Sequence, residues 1–558
     1  MKRKKITKML ALTMTVAILL SGCASDDVAS EVTENFEDSV MTESSLAQEE
    51  TVIPAEDVWE SMDIEFSSGD LEVGYDETEN TTIEFLDESE IVVSGGGVEL
   101  ADNVVAITAG GTYILSGSIA EGQVVVDVAQ DENVQLVLNG VKMHCEKHAA
   151  LYIEQAKKVF LTLAAGSENT LSGGEIYELA SKDSDVDGVI FSREDMTING
   201  SGTLCISTAY QHGIVSEKIL SVTGGDLEIT SAGHALDGKN CVKIKSGTFT
   251  LTAGEDGIHS GNEDSNKGYV YIEDGIFTIN AVDDGIHADG HLLVDGGEIL
   301  IAQSNEGMEG RTVTIRDGKI ALKSEDDGIN ATASKEETTE ALQGAGEEAA
   351  NETKEEPVVF IRFMGGEVVV DANGDGIDSN GNLYMEEGNV CVYGPLSDGD
   401  AAIDYETAAV VTGGVMLASG SSGMSVGFGR QSTQCSFMYA FESTKLASET
   451  VTVSDSSGNT IIAWTPDKDY SCIVVTTPLL VKGYTYTVHA GEEQGEIELT
   501  DIVASNRGHQ EMGGGPGGMP GNPPESLPED MRFREGMKPP EGMERPARMP
   551  RPEEQTAK

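Results

Sequence analysis

The stretch VDDGIHADGHLLVDGGEILI, residues 282–301, decides the fold of this chain. Apolar residues alternate with other residues on both sides of Gly297, a pattern typical of β-strands with one buried face. The alternating residues are Leu292, Val294, Ile299 and Ile301. The stretch also carries two adjacent aspartates directly before a Gly-Ile pair. It therefore predicts two short strands joined at a glycine, with an acidic corner beside them.

The same unit recurs along the chain with a period of about 22 residues. Glycine occupies the equivalent of Gly297 at Gly225, Gly247, Gly275, Gly318, Gly366 and Gly388. A period of this length indicates a solenoid. We predict an all-β fold, a right-handed parallel β-helix with about 22 residues per turn. Residues 335–356 interrupt the period and are expected to loop out.

Composition divides the rest of the chain into segments. Hairpin-like strand patterns follow the repeat and predict a small antiparallel β-domain that caps the open end of the solenoid. An acidic segment before the repeat and a Gly/Pro/Met-rich segment after it are expected to be disordered. The predicted boundaries are 1–22 for a signal peptide, 23–60 for the acidic tether, 61–431 for the β-helix, 432–503 for the cap and 504–558 for the tail.

The N-terminus begins with MKRKK and continues with a short apolar run that ends at Leu20. The run is too short for a membrane-spanning helix and is typical of a secretory signal. The sequence Leu20-Ser21-Gly22-Cys23 resembles a bacterial lipobox, which implies cleavage before Cys23 and lipidation of that cysteine. We expect an extracytoplasmic protein that is anchored to the cell membrane through Cys23. A plain secretory signal is the alternative.

The charge of the chain narrows its partners. Its 97 acidic residues outnumber its 35 basic residues and give a formal net charge of -62. Nucleic acids and anionic membrane surfaces bind to basic faces, so the composition argues against both as partners. Divalent cations are plentiful outside the cytoplasm, and a strongly negative protein attracts them. Its charge therefore favours divalent cations as partners.

The DGI units place acidic residues at the same point of successive turns. Neighbouring turns of a β-helix are about 4.8 Å apart, and two unit charges at that distance repel by roughly 3 to 4 kcal/mol at an effective dielectric near 20. Calcium prefers carboxylate oxygens and would neutralise such columns. We predict several Ca²⁺ ions, held by Asp256, Asp283, Asp284, Glu306, Glu309, Asp326, Asp327, Asp375 and Asp378. The alternative is that Asp-Gly only forms the turn and that solvent screens the charges.

Two linear motifs predict calcium independently of these columns. The first fits the EF-hand loop pattern D-x-D-x-D-G-x5-E, and its ligands are Asp183, Asp185, Asp187 and Glu194. The second begins at Asp371, includes Asp375 and lacks the closing acid. The histidines raise the separate question of a zinc site. We expect His259 and His287 to be stacked, solvent-exposed turn residues rather than zinc ligands, and we place His212 and His234 elsewhere in their turns.

Several stretches, among them VQLVLNGVKM, DGVIFSREDMTINGSGTL and SNEGMEGRTVTIRDGKIALKSEDDGINA, resemble one family. This family is that of bacterial cell-surface β-helix proteins called carbohydrate-binding domain-containing proteins, and the resemblance covers roughly residues 80–490. It implies a right-handed β-helix like that of pectate lyases, without implying lyase activity. It also implies binding of cellulose or acidic polysaccharides and retention of calcium.

Three functions remain open at this point, of which we favour the first. The first is a calcium-stabilised surface module that binds polysaccharide, either acidic and polygalacturonate-like or cellulosic, without catalysis. The second is a calcium-dependent polysaccharide lyase, and the third is a structural spacer or adhesin. Outward positions on one strand column form a basic and aromatic strip suited to sugar rings and uronate carboxylates. The residues of the strip are Lys243, Tyr271, Arg362 and Tyr384.

Overall fold

The computed structural model describes residues 58–333 and 358–507, apart from 77, 79, 87–89, 263 and 265. The predicted signal peptide with Cys23, the insertion 335–356 and residues 508–558 lie outside this part of the chain. The predicted parallel β-helix is confirmed, because strands of successive turns pair in parallel along the repeat. Short 3₁₀ helices occur at Val58–Ser61 and Ser181–Asp183.

Most turns of the β-helix contribute a strand to each of three faces, which we number in chain order within a DGI unit. Face 1 begins at the DGI isoleucine and contains Val104–Ile107, Gln123–Asp127, Leu151–Gln155, Gly188–Ser192, His212–Ser216, Leu236–Gly238, Ile258–Ser260, Ile329–Ala331, Ile377–Ser379 and Asp404–Tyr405. Face 2 precedes the repeat glycine and contains Lys158–Leu163, Met196–Gly200, Ile219–Val222, Cys241–Ile244, Tyr269–Ile272 and Ala408–Val411.

Face 3 follows the repeat glycine. It contains Glu168–Gly173, Thr203–Ser207, Asp226–Ser231, Thr248–Ala253, Ile276–Ala281, Glu298–Gln303, Lys319–Ser324 and Val415–Gly420. Longer strands turn from one face to the next, and these are Gly111–Ile119, Asn133–Cys145, Ile286–Val294, Met308–Ile315, Phe360–Ala372 and Asn382–Tyr393. A chain that alternates apolar and polar residues can follow this path because strands such as Thr248–Ala253 bury every second side chain.

Pairing in register stacks equivalent residues of successive turns. On face 1, Ile258 pairs with Ile286, which pairs with Met308, and the column continues through Ile329 to Ile377. All five side chains are fully buried. The DGI isoleucines therefore point into the core of the β-helix. Their burial fixes the direction of the residues on either side of them, which carry the charges.

The repeat glycines are required by the backbone. Gly225 has a φ of 103° and Gly297 has a φ of 98°, in the left-handed region that side chains disfavour. A Cβ added at Gly297 would also lie 2.9 Å from the carbonyl oxygen of Gly275 in the preceding turn. The period of about 22 residues in the sequence is therefore the spacing at which the chain must make this corner.

Antiparallel strands cover both ends of the β-helix. The N-terminal strands are Thr81–Leu86, Glu90–Ser94 and Val98–Ala101. At the C-terminal end, Val415–Gly420 pairs with the antiparallel strand Tyr470–Thr476. Further strands of that end are Ser436–Lys445 and Val503–Ser505, together with a separate sheet of Val451–Ser454, Thr460–Trp464, Thr485–Ala490 and Glu493–Glu498. The predicted antiparallel β-domain is confirmed, and it extends past the expected boundary at residue 503. Covering an open edge in this way prevents it from pairing with other chains.

The segment 58–75, which we call the strap, lies across face 2. Trp59 is buried against Tyr269, and the side chain of Asp70 is buried in an ion pair with Lys158 at 2.6 Å. Thr197 also donates a hydrogen bond to Asp70, at 2.6 Å. The expectation of a disordered tether is therefore wrong for residues 58–60, which begin the strap. In the described residues no helix has both the length and the apolar character needed to cross a bilayer.

Candidate metal centre

Two columns of polar side chains run along the corner between face 3 and face 1. The inner column stands two residues before the face 1 isoleucine or its equivalent and consists of His212, His234, Asp256, Asp284, Glu306, Asp327 and Asp375. The outer column stands one residue after it and consists of Asp237, His259, His287, Glu309, Asn330, Asp378 and Asp404. We call the two columns together the ladder. It brings together acids and histidines that are far apart in sequence.

Hydrogen bonds between turns hold the inner column in place. One carboxylate oxygen of Asp256 accepts the main-chain N–H of Asp284 at 2.9 Å, and Asp327 accepts that of Asp375 at 2.7 Å. Asp284 Oδ1 accepts the main-chain N–H of Glu306 at 3.2 Å, and its Oδ2 lies 2.9 Å from Nδ1 of His287 in the outer column. Each of these aspartates thus uses one oxygen for the fold. The second oxygen of Asp284 faces the outer column.

Histidines dominate the N-terminal end of the ladder. The rings of His212 and His234 stack with centroids 4.7 Å apart, and those of His234 and His259 stack at 4.1 Å. Two clusters hold ligand atoms that all lie within 4.8 Å of one another: His212, His234 and Glu255, and His234, Asp256 and His259. We call these five residues the histidine end. It contains both nitrogen and oxygen donors.

Carboxylates form the C-terminal end of the ladder. Asp327, Asp375 and Asp378 have ligand oxygens within 4.8 Å of one another. Asn330 pairs with Asp378 in the outer column and is 8% exposed. Its Oδ1 atom is buried and has no hydrogen-bond partner, whereas its Nδ2 donates to Glu306 at 3.0 Å. We call these four residues, Asp327, Asn330, Asp375 and Asp378, the carboxylate end.

The carboxylate end is electrostatically strained. Burial, followed by repulsion from neighbouring acids, raises the pKa of Asp375 and that of Asp378 to about 7. Burial is also the main cause that raises the pKa of Asp327 to about 6 and that of Glu309 to about 8. Desolvation and like charges both disfavour an ionised carboxylate. A bound cation would remove this penalty.

The histidines differ among themselves in charge. Burial, with the neighbouring His234, lowers the pKa of His212 to about 4. Burial also opposes charge on His234, but its hydrogen bond with Asp256 raises the pKa above the ordinary value. At His287 burial again opposes the charged ring, yet hydrogen bonds with Asp284 and Asp289 raise the pKa to about 11. His212 is therefore neutral at pH 7, and His287 is an imidazolium ion.

The structure places the predicted calcium ligands of the DGI columns and of the second loop in three groups. Seven of them lie in the ladder, and these are Asp256, Asp284, Glu306, Glu309, Asp327, Asp375 and Asp378. Asp283 and Asp326 are exposed in an adjacent stack and belong to none of the clusters among the described residues. Asp371 lies on face 3 and forms an ion pair with Lys468 at 2.8 Å. Asp371 likewise belongs to none of the clusters among the described residues, and its role as a ligand of the second loop stays a prediction.

The EF-hand-like loop is not formed. Asp183 accepts a hydrogen bond from Tyr152 at 3.0 Å, Asp185 accepts one from Arg193 at 2.7 Å, and Glu194 forms an ion pair with Lys218. Asp187 turns toward the ladder, with Oδ2 3.8 Å from His212 Nε2. The prediction fails because the strand Gly188–Ser192 extends the chain by about 3.3 Å per residue. Glu194 is thereby carried away from the three aspartates.

The predicted sugar-binding strip is a stack but not an open surface. Lys243 pairs with Tyr271 and Arg362 pairs with Tyr384 in register. Lys243, Tyr271 and Tyr384 are 4%, 5% and 8% exposed. The ammonium of Lys243 donates to the main-chain oxygen of Glu65 in the strap at 2.8 Å. Arg362 Nε donates to Glu386 at 2.8 Å.

The expectation of an exposed strip is wrong because the strap covers face 2 at Lys243 and Tyr271. Sequence reasoning also missed three members of the ladder, which are His212, His234 and Asp404. The prediction that His259 and His287 share a column is confirmed, whereas the separate placement of His212 and His234 is wrong. The signal was present in the sequence, because Ile214 and Leu236 are equivalents of the DGI isoleucine. Counting back two residues from them gives both histidines.

Comparison with known proteins finds a family model that is similar to part of the chain. The family model of carbohydrate-binding domain-containing proteins matches residues 101–343. A carbohydrate-binding domain-containing protein of Acetivibrio thermocellus is 36% identical over 134 residues, which are 24% of this chain and 47% of the relative. The chain thus spans about half the length of that curated relative.

A solved structure is also similar to this chain. It is a polysaccharide lyase-like protein from C. thermocellum, determined as a gadolinium derivative, with 30% identity and a TM-score of 0.40. The match covers 46% of this chain and 96% of that protein. The fold described above rests on the strand pairing of the chain itself. Residues 101–343 of the chain are therefore similar to the family of carbohydrate-binding domain-containing proteins.

Proposed function

We propose that the chain is a calcium-stabilised, extracytoplasmic lipoprotein that binds polysaccharide without cleaving it. The observation that carries the proposal is the carboxylate end of the ladder. There Asp327, Asp375 and Asp378 converge within 4.8 Å, and the buried Oδ1 of Asn330 has no hydrogen-bond partner. The name of the family supports a carbohydrate as the ligand.

The donors at this end fit calcium. All of them are oxygens, and calcium binds about 6 to 8 oxygen ligands in flexible geometry. Three carboxylates and one amide leave coordination positions to be filled from outside if each gives one oxygen. The partly exposed side chains of Asp375 and Asp378 leave this end accessible from solvent. Calcium held here would neutralise the column and present free positions to a ligand.

We infer that the polysaccharide is acidic. A chain with a net charge of -62 repels a polyanion, so direct ion pairing is disfavoured. A uronate carboxylate can instead complete the coordination of calcium at the carboxylate end. The covered strip of Lys243 and Tyr271 offers no comparable access, because the strap lies over it. Cellulose is the alternative ligand. It is uncharged, so the net charge of the protein would not repel it.

Isothermal titration with polygalacturonate tests this proposal. We expect binding in calcium, loss of binding in chelator, and persistence in moderate salt, because a coordinated ion is screened less than exposed charges. The variant Asp375→Asn/Asp378→Asn should lose binding, and Asp226→Asn, an exposed acid on face 3, should keep it. Binding that survives both chelation and the double substitution would contradict the proposal. Absence of binding to any glycan would favour a spacer or adhesin.

A lyase remains the second candidate because a titratable base stands beside the acids of the ladder. His287 Nδ1 lies 3.5 Å from Glu309. A lyase needs a deprotonated base, and the raised pKa of His287, about 11, keeps that ring protonated. We therefore expect no rise in ultraviolet absorbance from unsaturated uronate when the protein is incubated with polygalacturonate and calcium. A steady rise that His287→Gln abolishes would make the protein a lyase.

The membrane anchor is tested separately. Cys23 follows the lipobox-like Leu20 to Gly22 and is the proposed site of lipidation. The variant Cys23→Ala should move the protein from the membrane fraction to the soluble fraction. Retention of the variant in membranes would contradict the anchor and leave the glycan proposal untouched.

A further inference from the structure

The histidine end of the ladder differs in chemistry from the site proposed for calcium. It has two overlapping clusters, each with two imidazoles and one carboxylate. Within each cluster the ligand atoms lie within 4.8 Å of one another. Calcium takes oxygen ligands, whereas imidazole nitrogen suits zinc, copper, nickel and iron. The donors at this end therefore select a different class of metal.

Asp237 orients His259 as a ligand. Nδ1 of His259 donates to the Asp237 carboxylate at 2.9 Å, because the carboxylate can only accept. The neutral ring then has its lone pair on Nε2. Protein zinc sites use this same arrangement, in which a carboxylate fixes the tautomer and direction of the ligating histidine.

The fold places a second imidazole and a carboxylate next to His259. The ring of His234 stacks on that of His259 at 4.1 Å and an interplanar angle of 6°. Asp256 is 3% exposed, and one of its oxygens lies 3.2 Å from Nδ1 of His234. His212 and Glu255 lie next to His234, and the side chain of Glu255 is 47% exposed. The main-chain N–H of Asp256 also donates to Nδ1 of His234 at 3.1 Å, so the turns bring the donors together and leave them open to solvent on one side. Because parallel rings direct their nitrogen lone pairs into parallel planes, one of the two rings must rotate before both can bind the same ion.

We propose that His234, His259 and Asp256, with His212 and Glu255 beside them, bind a divalent transition metal of the zinc class. Two nitrogens and one carboxylate oxygen leave a fourth position of a tetrahedron for water or for Glu255. The site is independent of calcium at the carboxylate end and of any glycan. The chain would then carry two kinds of metal on one ladder.

Titration of the full-length chain with zinc chloride, in the presence of saturating calcium chloride, tests the proposal. We expect zinc to bind and calcium not to displace it. The variant His234→Gln/His259→Gln should weaken zinc binding by more than about 100-fold, since loss of an outer-shell partner alone costs about 10- to 100-fold. Asp237→Asn should weaken it less, because it removes only the positioning bond. Zinc affinity that is unchanged in the double variant would overturn the proposal.

Controls separate this site from other histidines and from the calcium site. His144 lies 3.0 Å from Glu146 but stands outside the clusters, so His144→Gln should leave zinc affinity unchanged. His509→Gln tests the tail in the same way. The variant Asp375→Asn/Asp378→Asn should lose calcium and keep zinc. Loss of zinc in this last variant would place zinc at the carboxylate end and overturn the assignment.

A measurement on the unaltered chain covers the case in which a histidine variant fails to fold. X-ray absorption at the zinc edge of the zinc-loaded protein should show scattering from two imidazole rings together with oxygen ligands. A shell made of oxygen alone would overturn the proposal whatever the variants do. Failure of the glycan experiments would leave this result unaffected, so the two proposals are tested separately.

Discussion

The two ends of the ladder share one backbone and differ in the side chains that it carries. At both ends the donors stand two residues before, and one residue after, a buried aliphatic residue of face 1. At the histidine end these positions include His234 and His259, and at the carboxylate end they include Asp327 and Asp378. The parallel β-helix thus fixes where donors meet, and the residues at those two positions decide which metal they suit.

Removal of calcium should produce the largest difference between the two ends. A ligand present at 100 times its dissociation constant stabilises the fold by about 2.7 kcal/mol per site. We expect chelation to lower the melting temperature of the unaltered chain. In chelator, Asp375→Asn/Asp378→Asn should melt higher than the unaltered chain, because the substitutions remove the repulsion between acids. In calcium the order should reverse.

Thermal melts in both buffers measure this effect, with Asp226→Asn as the matched control. Asp226 is an exposed acid outside the ladder, so its substitution should change neither curve. Melting curves of the unaltered chain that coincide with and without chelator would mean that solvent alone screens the acids. The calcium argument would then fail at its first step.

Exchange of side chains between the ends sharpens the comparison. The variant Asp375→His/Asp378→His gives the carboxylate end two imidazoles and keeps Asp327. We expect calcium binding at this end to weaken by more than about 100-fold, the cost scale of disturbed metal coordination, and a second zinc equivalent to appear. Calorimetric titration with each metal counts the equivalents. If the variant gains no zinc, the backbone positions are insufficient and the proposed rule is contradicted.

In chelator, the pH dependence of stability that arises from Asp375 and Asp378 should have the opposite sign to that arising from His212. The pKa of Asp375 and that of Asp378 are raised to about 7 by burial, so the folded state holds protons that the unfolded state has lost. Their contribution to stability is present below the ordinary aspartate pKa of about 3.9 and is lost as the pH rises to about 7. The pKa of His212 is lowered to about 4 by burial. The folded state therefore keeps this ring neutral between about pH 4 and the ordinary histidine pKa of about 6.5. Stability should rise with pH over this interval, because the unfolded state holds a proton there that the folded state lacks.

Melting temperatures in chelator between pH 4 and about 7 separate the two contributions. Asp375→Asn/Asp378→Asn should remove a fall in stability with rising pH, and His212→Gln should remove a rise. Saturating calcium should reduce the fall in the unaltered chain, because the ion favours the ionised carboxylates. Identical pH profiles of both variants and the unaltered chain would contradict the assigned pKa directions.

The sequence predicted the fold and one half of the ladder. The period of Gly225 to Gly388 requires a positive-φ corner in each turn, and local spacing alone reveals it. The columns of Asp256 and Asp378 follow from the same period. The histidines His212 and His234 were missed because their turns replace the Asp-Gly-Ile signature with other residues. The pairing of Ile214 with Leu236 and of Leu236 with Ile258 places both histidines in the column, although no local motif marks them.

The predictions of an exposed sugar-binding strip and of an EF-hand-like loop failed for a different reason. Whether Lys243 and Tyr271 are exposed depends on residues 63–66 of the strap, which are about 180 or more positions earlier in the chain. Alternation within a strand shows which side chains leave the core, but it does not show what lies over them. The loop of Asp183 to Glu194 likewise depends on partners from other turns, such as Tyr152 and Lys218.

The smallest effect expected is that of Arg362 on glycan binding. Its guanidinium is held by Glu386 through bonds of 2.8 and 3.2 Å, and the side chain is 15% exposed. A guanidinium paired in this way is not available to a uronate carboxylate. Arg362→Ala should therefore cost stability, by about 1 to 3 kcal/mol for hydrogen bonds to a charged group. It should leave the affinity for polygalacturonate in calcium unchanged within about twofold, because coordination through the carboxylate end does not use this residue.

The same titration in low salt and chelator completes the test of the strip. Asp70→Ala removes the buried carboxylate that binds Lys158 and Thr197, so it should loosen the strap over Lys243 and Tyr271. If these two residues formed a sugar site under the strap, Asp70→Ala would bind polygalacturonate without calcium, and added salt would abolish that binding. We expect no such binding, since two aromatic or basic side chains do not offset the repulsion between a polyanion and a chain with a net charge of -62. Calcium-independent binding by Asp70→Ala that Arg362→Ala also weakens would move the glycan site from the ladder to face 2.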